Sequence, residues 1–311
     1  MIEVERLTKD YGQFRALDDI SFSVAKGEIM GFLGPNGAGK TTMMRILTCF
    51  FPATRGRAMV AGFDCFEDSL KVRERIGYLP ERVPLYEDMK VTDYLSFAAA
   101  AKGVPAKEVK QSVAKAVGEF GLQDVASRMI SACSRGYRQR VGLAQAVVND
   151  PDVLILDEPT VGLDPKQIKE IRKIIKELAG KRTVILSTHI LPEVSLLCDR
   201  VIIINKGKLI AVDKPENLTG KKSQKLLLRI DGSMADIEKA IAKVKGVKSV
   251  DREQVAEGEL GGLILDFEDE KVVKKQVQAL IAQNNWDLIE MRPIEVSLED
   301  CFIDLITKEE A

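Results

Sequence analysis

The 311-residue chain is 45% hydrophobic and 30% charged, with a formal net charge of -1. That balance fits a folded protein of about two domains and excludes the basic field that would point to nucleic acid. The five cysteines (Cys49, Cys65, Cys133, Cys198, Cys301) are odd in number and form no CxxC pair, which excludes a zinc ribbon or disulfide framework and fits the reduced thiols of a cytosolic protein. The start, MIEVERLTKDYG, is acidic and mixed, so no signal peptide is expected. No window reaches the ~18 apolar residues of a membrane helix, so work at a membrane would need a spanning part from another chain.

Residues 2–7 alternate apolar and polar and predict a strand, with Tyr11 and Gly12 in a turn. Residues 16–24 predict a second strand, ended by Lys26-Gly27, and 28–33 a short buried one. That run delivers the chain to Gly34-Pro35-Asn36-Gly37-Ala38-Gly39-Lys40-Thr41, with Thr42 next. Every fixed position of the GxxxxGK[ST] phosphate loop is filled. The glycines let backbone N–H groups approach phosphate oxygens without a Cβ in the way. Lys40 is a point charge for the terminal phosphates, and Thr41 offers a hydroxyl to Mg²⁺. A helix over 40–49 would aim its positive end at the anion.

Strands at 54–61 and 76–80 flank a charged helix at 69–75. Over 84–149 strand signals vanish. Thr92 is the expected N-cap of a helix over 93–102, stopped by Gly103 and Pro105. A second helix, 105–120, ends at Gly121, and a third runs from Ser134 to 148. Simple phosphate-loop kinases and GTPases need no such helical block there. Residues 153–156 then predict a buried strand with Asp157 and Glu158 at its carboxyl end, where open α/β sheets place ligands. A helix at 166–179 and a strand at 183–187 lead to Thr188-His189. Residues 201–204 and 208–212 predict a hairpin around Lys206-Gly207.

Residues 220–224 predict a linker. Beyond it the order is strand 225–230, helix 234–244, strand 247–251, a loop at 258–262, strand 262–267, helix 271–283 and strand 286–292. That βαββαβ plan is ferredoxin-like α+β, and an amphipathic helix at 298–306 closes the chain. The expected domains are therefore 1–220, an α/β nucleotide-binding domain with a helical subdomain at about 84–149, and an accessory domain at 221–311. The accessory domain carries neither a metal cluster nor a basic aromatic face, which favours docking or dimerisation.

Lys40 and Asp157 must reach one nucleotide from distant positions. A carboxylate at the end of an apolar strand is the usual partner of a phosphate loop and holds the Mg²⁺ shell. Glu158, one residue on, can orient and polarise a water for in-line attack. His189, the chain's single histidine, follows a strand at the sheet edge where a γ-phosphate contact would lie.

In order and kind these motifs resemble those of the ATP-binding cassette (ABC) ATPases: phosphate loop, a signature at 134–136, Asp157-Glu158, the turn Gly162-Leu163-Asp164, and His189. The resemblance covers about residues 1–220. It implies a P-loop NTPase fold of the ABC type, with ATP and Mg²⁺ as ligands and Tyr11 as the adenine-stacking residue. It also implies a head-to-tail pairing with a second ATPase subunit, as a homodimer. Each ATP would lie between one subunit's phosphate loop and the other's signature, so Ser134 and Gly136 would face the partner's γ-phosphate. The signature departs from the usual Leu-Ser-Gly-Gly-Gln, reading Cys133-Ser134-Arg135-Gly136-Tyr137. Glu81 replaces a glutamine that touches Mg²⁺ or the attacking water, and Val161 replaces a serine. The Arg-Gly-Tyr-Arg-Gln-Arg run, IGYLPE and the tail Val296-Ser297-Leu298-Glu299-Asp300 are similar to subunits serving ABC-2 type exporters, in the gliding-motility and multidrug or antibiotic-efflux groups. That implies a separate integral-membrane permease, docked near the Glu81 loop and block 84–130. It would hold the chain on the cytoplasmic face of the cell membrane. Two rivals stay open: a soluble ABC ATPase of repair or translation, and a nucleotide-dependent regulatory switch. No residue names the cargo.

Overall fold

The computed structural model describes residues 1–220, 224–253, 262–267, 270–294 and 302. The expected loop 258–262, the stretch 296–300 and the closing helix 298–306 lie wholly or largely outside these, as does most of the linker 220–224. Contacts divide the chain into two units, Met1–Pro215 and Glu216–Ala311.

The first unit opens with β1 (Ile2–Tyr11), β2 (Phe14–Val24), β3 (Ile29–Leu33) and α1 (Lys40–Leu47), followed by β4 (Arg55–Val60), β5 (Phe63–Asp64), α2 (Ser69–Arg75) and β6 (Ile76–Leu79). Three helices follow, α3 (Val91–Ala101), α4 (Ala106–Glu119) and α5 (Arg135–Val147). Then come β7 (Val153–Asp157), α6 (Pro165–Leu178), β8 (Thr183–Thr188), α7 (Leu191–Leu197), β9 (Arg200–Asn205) and β10 (Lys208–Asp213), with α8 (Pro215–Gly220) at the boundary. The central sheet has the order β10-β9-β3-β8-β7-β6, parallel except for the edge hairpin strand β10. Every residue of β3, β7 and β8 is buried. Burial along the whole length, around the apolar centres Val153–Leu156 and Val184–Leu186, is what a parallel strand covered on both faces shows.

Register assembles the site. Leu33 stands opposite Thr188, and Asp157 opposite Ser187. The phosphate loop, the acidic strand end and the histidine turn therefore leave the same sheet edge side by side. A smaller antiparallel sheet, β2-β1-β4-β5, packs with α1 against one face of the central sheet through Ile2, Leu7, Phe32, Met43, Leu47 and Ile155. On the other face α3, α4 and α5 share a core of Val91, Leu95, Phe120, Leu122, Val141 and Leu143 with the strand residues Leu154 and Leu156.

The structure corrects one boundary in this helical layer. Thr92 is not the N-cap of α3. The cap is Lys90, and no side chain serves it. The amides of Val91 and Thr92 instead donate to the carbonyls of Arg128 and Ala126, both at 3.0 Å. A chain segment 35 residues further on does what a capping hydroxyl would do, a tertiary substitution that local pattern cannot reveal.

The far end of α5 is fixed by Lys102. Its Nζ donates to the carbonyls of Gln145 (2.7 Å) and Ala146 (3.1 Å) and approaches Asn149 Oδ1 at 3.4 Å. A cation suits the negative end of a helix. Burial nonetheless lowers its pKa from 10.5 to about 8. Between pH 8 and 10.5 the unfolded chain keeps a proton that the folded chain has released, so stability should rise with pH across that window. Lys102→Met is expected to remove that rise, as read from denaturant midpoints at pH 7 to 10.

The second unit contains β11 (Gln224–Asp231), α9 (Met234–Ile241), β12 (Val247–Arg252), β13 (Leu263–Phe267), α10 (Glu270–Gln283) and β14 (Asp287–Ile294). Its sheet is antiparallel in the order β12-β13-β11-β14. Leu226, Leu228 and Ile230 alternate onto one face and meet Ile237, Ile241, Val273 and Val277 of the two helices.

Candidate active site

The loop after β3 owes its shape to glycines at two positions in particular. A Cβ on Gly34 would run into the carbonyl oxygen of Ile204. Gly39, the residue before α1, sits at φ 108, in the left-handed region that favours glycine. No side chain caps α1 and its first turn holds no acid, so its leading N–H groups are left for an anion.

Lys40 begins that helix and is only 6% exposed. Its Nζ donates to the carbonyls of Gly34 (2.8 Å) and Pro35 (3.2 Å) and stands 3.5 Å from Glu158 Oε1. The other Glu158 oxygen, Oε2, lies 2.9 Å from His189 Nδ1. Glu158 is thus held between the loop lysine and the histidine. It also adopts φ 50, an αL conformation that costs a non-glycine residue about 1–3 kcal/mol. Its amide is fixed by Ser187, through the carbonyl at 3.2 Å and the hydroxyl at 3.0 Å. The backbone turn that projects this carboxylate is clamped by the neighbouring strand.

Asp157 lies beneath, accepting from the Ser187 hydroxyl at 2.5 Å, with the Thr41 hydroxyl at 3.5 Å. Burial holds its carboxyl above the usual range. The two hydroxyls oppose that shift, and the charges of Glu158 and Glu81 add to it. Among the described residues no three His, Cys, Asp or Glu side chains gather into a metal site. Thr41 and Asp157 offer hard oxygen donors but too few for a cation on their own. That set fits Mg²⁺, which takes one or two protein oxygens and completes its shell from phosphate and water.

A cavity of about 490 Å³ is lined by Asn36, Gly37, Gly39, Lys40, Thr41, Thr42, Glu81, Glu158 and His189, all expected from sequence. Gly34, Pro35 and Ala38 form the loop without lining the cavity. Phe14, Ala16 and Val161 also line it, and sequence reasoning missed them. Phe14 is 64% exposed at the tip of the β1–β2 hairpin. Tyr11, its cross-strand partner, is not a lining residue of this cavity. Tyr11 packs edge-on against Phe51 instead, at 6.2 Å between ring centroids. The two rings stand directly opposite in the hairpin's register and so share one face of the sheet, with Phe14 across the turn from Tyr11. The signal was the second aromatic, three residues after the first.

Ser134 and Gly136 lie outside the cavity. Ser134 is the N-cap of α5, its Oγ accepting from the Tyr137 amide, worth about 1 kcal/mol. The unusual Arg135 donates from Nη2 to the Val161 carbonyl at 3.2 Å and fills the space a Cβ on Gly162 would need. Gln139 Nε2 donates to the Pro159 carbonyl at 2.7 Å. Both ends of the first α5 turn and a half are therefore tied to the loop that carries Glu158.

A family model described as ABC transporter matches residues 17–161. A second, described as AAA domain, putative AbiEii toxin, Type IV TA system, matches 128–195. The uncharacterized ABC transporter ATP-binding protein YhcH of Bacillus subtilis is 35% identical over 100% of this chain and 98% of its own length. The bacitracin transport ATP-binding protein BcrA of Bacillus licheniformis is 33% identical over 98% of this chain and 97% of its own. Among solved structures, cbiO1 from Clostridium perfringens, part of the ABC transporter complex cbiONQ, is similar with a TM-score of 0.65 at 30% identity. The match covers 71% of this chain and 90% of that one.

Proposed function

The chain belongs to the ABC transporter ATP-binding proteins, and from that premise we propose that it powers a separate permease of the ABC-2 exporter type by ATP-driven closure of a homodimer. It is an ATPase of the cassette type. The observation that carries the catalytic reading is Glu158 poised between Lys40 and His189 at the mouth of the phosphate loop. In this reading the loop amides and Lys40 bind the β- and γ-phosphates, and the Glu158 carboxylate orients the attacking water. His189 steadies Glu158 and contacts the γ-phosphate. Thr41 and Asp157 would hold Mg²⁺, which supplies charge neutralisation at the phosphates, with Glu81 facing the same space. Ser134 and Gly136 of each copy serve the ATP of the other.

Export rests on full-length similarity to a bacitracin transport ATP-binding protein. No helix among the described residues is long and apolar enough to cross a membrane. In this reading the permease is a separate chain, and this subunit binds it peripherally on the cytoplasmic side. The docking site has a candidate. A cleft of about 860 Å³ lies between α2 and the helical layer. Its lining pairs the exposed apolar side chains Phe50 and Leu70 with Arg45, Arg73 and Arg82, alongside Glu74. That chemistry suits a short amphipathic segment carrying acidic residues.

The test is coexpression with the product of the neighbouring reading frame, which this reading expects to be a membrane protein. The two should copurify and ATP turnover should rise in the complex. Leu70→Asp should abolish that rise, leaving the turnover of the isolated subunit within about twofold. A chain that hydrolyses ATP yet copurifies with no membrane protein would favour the soluble reading.

A further inference from the structure

Glu193 is the one described carboxylate with no exposed surface at all, at 0%, and the hydrolytic reading above gives it no task. Burying an ionised carboxylate is costly unless its oxygens are paired. Both are. Oε1 accepts from Arg172 Nη2 at 3.2 Å, and Oε2 accepts from the Thr188 hydroxyl at 3.0 Å. The Thr188 hydroxyl in turn accepts from the Ile190 amide at 3.0 Å, and the Glu193 amide donates to the Ile190 carbonyl at 3.0 Å.

These bonds bracket His189. The residues on either side of it are held, and the holding group is Glu193. The imidazole itself is nearly half exposed, and its recorded hydrogen bond is the one to Glu158. Side-chain packing therefore does little to fix the ring, and the frame beneath it does more. The other partner, Arg172, rides on α6, whose N-cap is Asp164 at the end of the loop that begins with Glu158. Its Nε finds no acceptor, so no second group competes with Glu193 for the guanidinium through that nitrogen. One buried carboxylate thus joins the strand end that presents His189 to the helix that anchors the Glu158 loop.

We propose that Glu193 is a positioning residue for hydrolysis, setting His189 against Glu158 through Thr188. The inference rests on the ATPase reading above. Glu193→Gln keeps the size and removes the charge. It is expected to lower kcat about tenfold, with KM for ATP and ATP-driven dimerisation within about twofold. In a His189→Ala background the same change should cost nothing further, because the group it positions is gone. Replacing the pair outright, Arg172→Met with Glu193→Met, removes the buried carboxylate together with its partner charge and should keep the melting temperature at wild type or above. Its kcat should stay low, which separates positioning from plain support of the fold.

Three results overturn the idea: unchanged kcat in Glu193→Gln, a further loss in the His189→Ala background, or recovered kcat in the Met–Met variant. Failure of the parent reading looks different, since wild-type protein would then not hydrolyse ATP.

Discussion

Glu158→Gln is expected to lower ATP turnover by about 10²–10⁴-fold, the range a general base contributes, while leaving ATP bound and the dimer closed. The amide has the shape of the carboxylate and can keep one hydrogen bond to His189, so the φ 50 turn and its Ser187 clamp survive. What disappears is the charge 3.5 Å from Lys40 and the basicity needed to polarise a water. The loss also helps binding. Glu158 contributes to raising the Asp157 pKa, so its neutralisation lets Asp157 ionise more readily. It also withdraws one negative charge from the place a γ-phosphate must occupy. Single-turnover hydrolysis and gel filtration with ATP measure the two halves of the prediction. Turnover within tenfold of wild type would remove Glu158 from the role of base.

The strength of that expectation traces to what was readable in the sequence. Strands β3, β7 and β8 announce themselves by apolar runs, and the phosphate loop as a fixed pattern of glycines with a lysine. Asp157, Glu158 and His189 stand just where those runs stop, so pattern alone placed them at one sheet edge. What pattern could not supply is contact. Ser187 looks like one more strand residue, yet its hydroxyl holds both Asp157 and the Glu158 amide. Its role exists only because β7 and β8 align Asp157 with Ser187. Arg172 and Glu193 read as ordinary helix charges, yet they form an ion pair whose acid is fully buried. The two-residue strand β5 is too short to raise a periodic signal. Tyr11 and Phe14 show the same limit. Composition put aromatics on the hairpin, but only the folded chain shows Phe14 lining the cavity at the phosphate loop.

Arg135 and Gln139 turn the departure from the usual signature into a structural argument. In one chain they tie the start of α5 to Val161 and Pro159, beside Glu158, while Ser134 and Gly136 stay outside the same chain's cavity. The proposed dimer gives this arrangement a purpose, because whatever moves the signature also pulls on the Glu158 loop. It leads to the second large effect. Lys40→Ala and Ser134→Arg are each expected to abolish turnover in homodimers, the first by losing the phosphate charge, the second by filling the signature surface. Ser134→Arg should still bind ATP, since Lys40 is intact, and should lose only about 1 kcal/mol of helix capping.

Mixed together, the two inactive chains should regain activity. In a mixed dimer the Lys40 of the Ser134→Arg copy faces the intact Ser134 of the Lys40→Ala copy. One complete site forms and the other is doubly broken. In a two-fold dimer random pairing makes half the dimers mixed, so turnover should return to about a quarter of wild type. If Ser134 served the ATP of its own chain, every site in the mixture would carry a lesion and no activity would return. The measurement therefore separates a shared site from a self-contained one without any structure of the complex. It also asks whether the cavity around Lys40, which Ser134 does not line, is completed by the signature surface of a second copy.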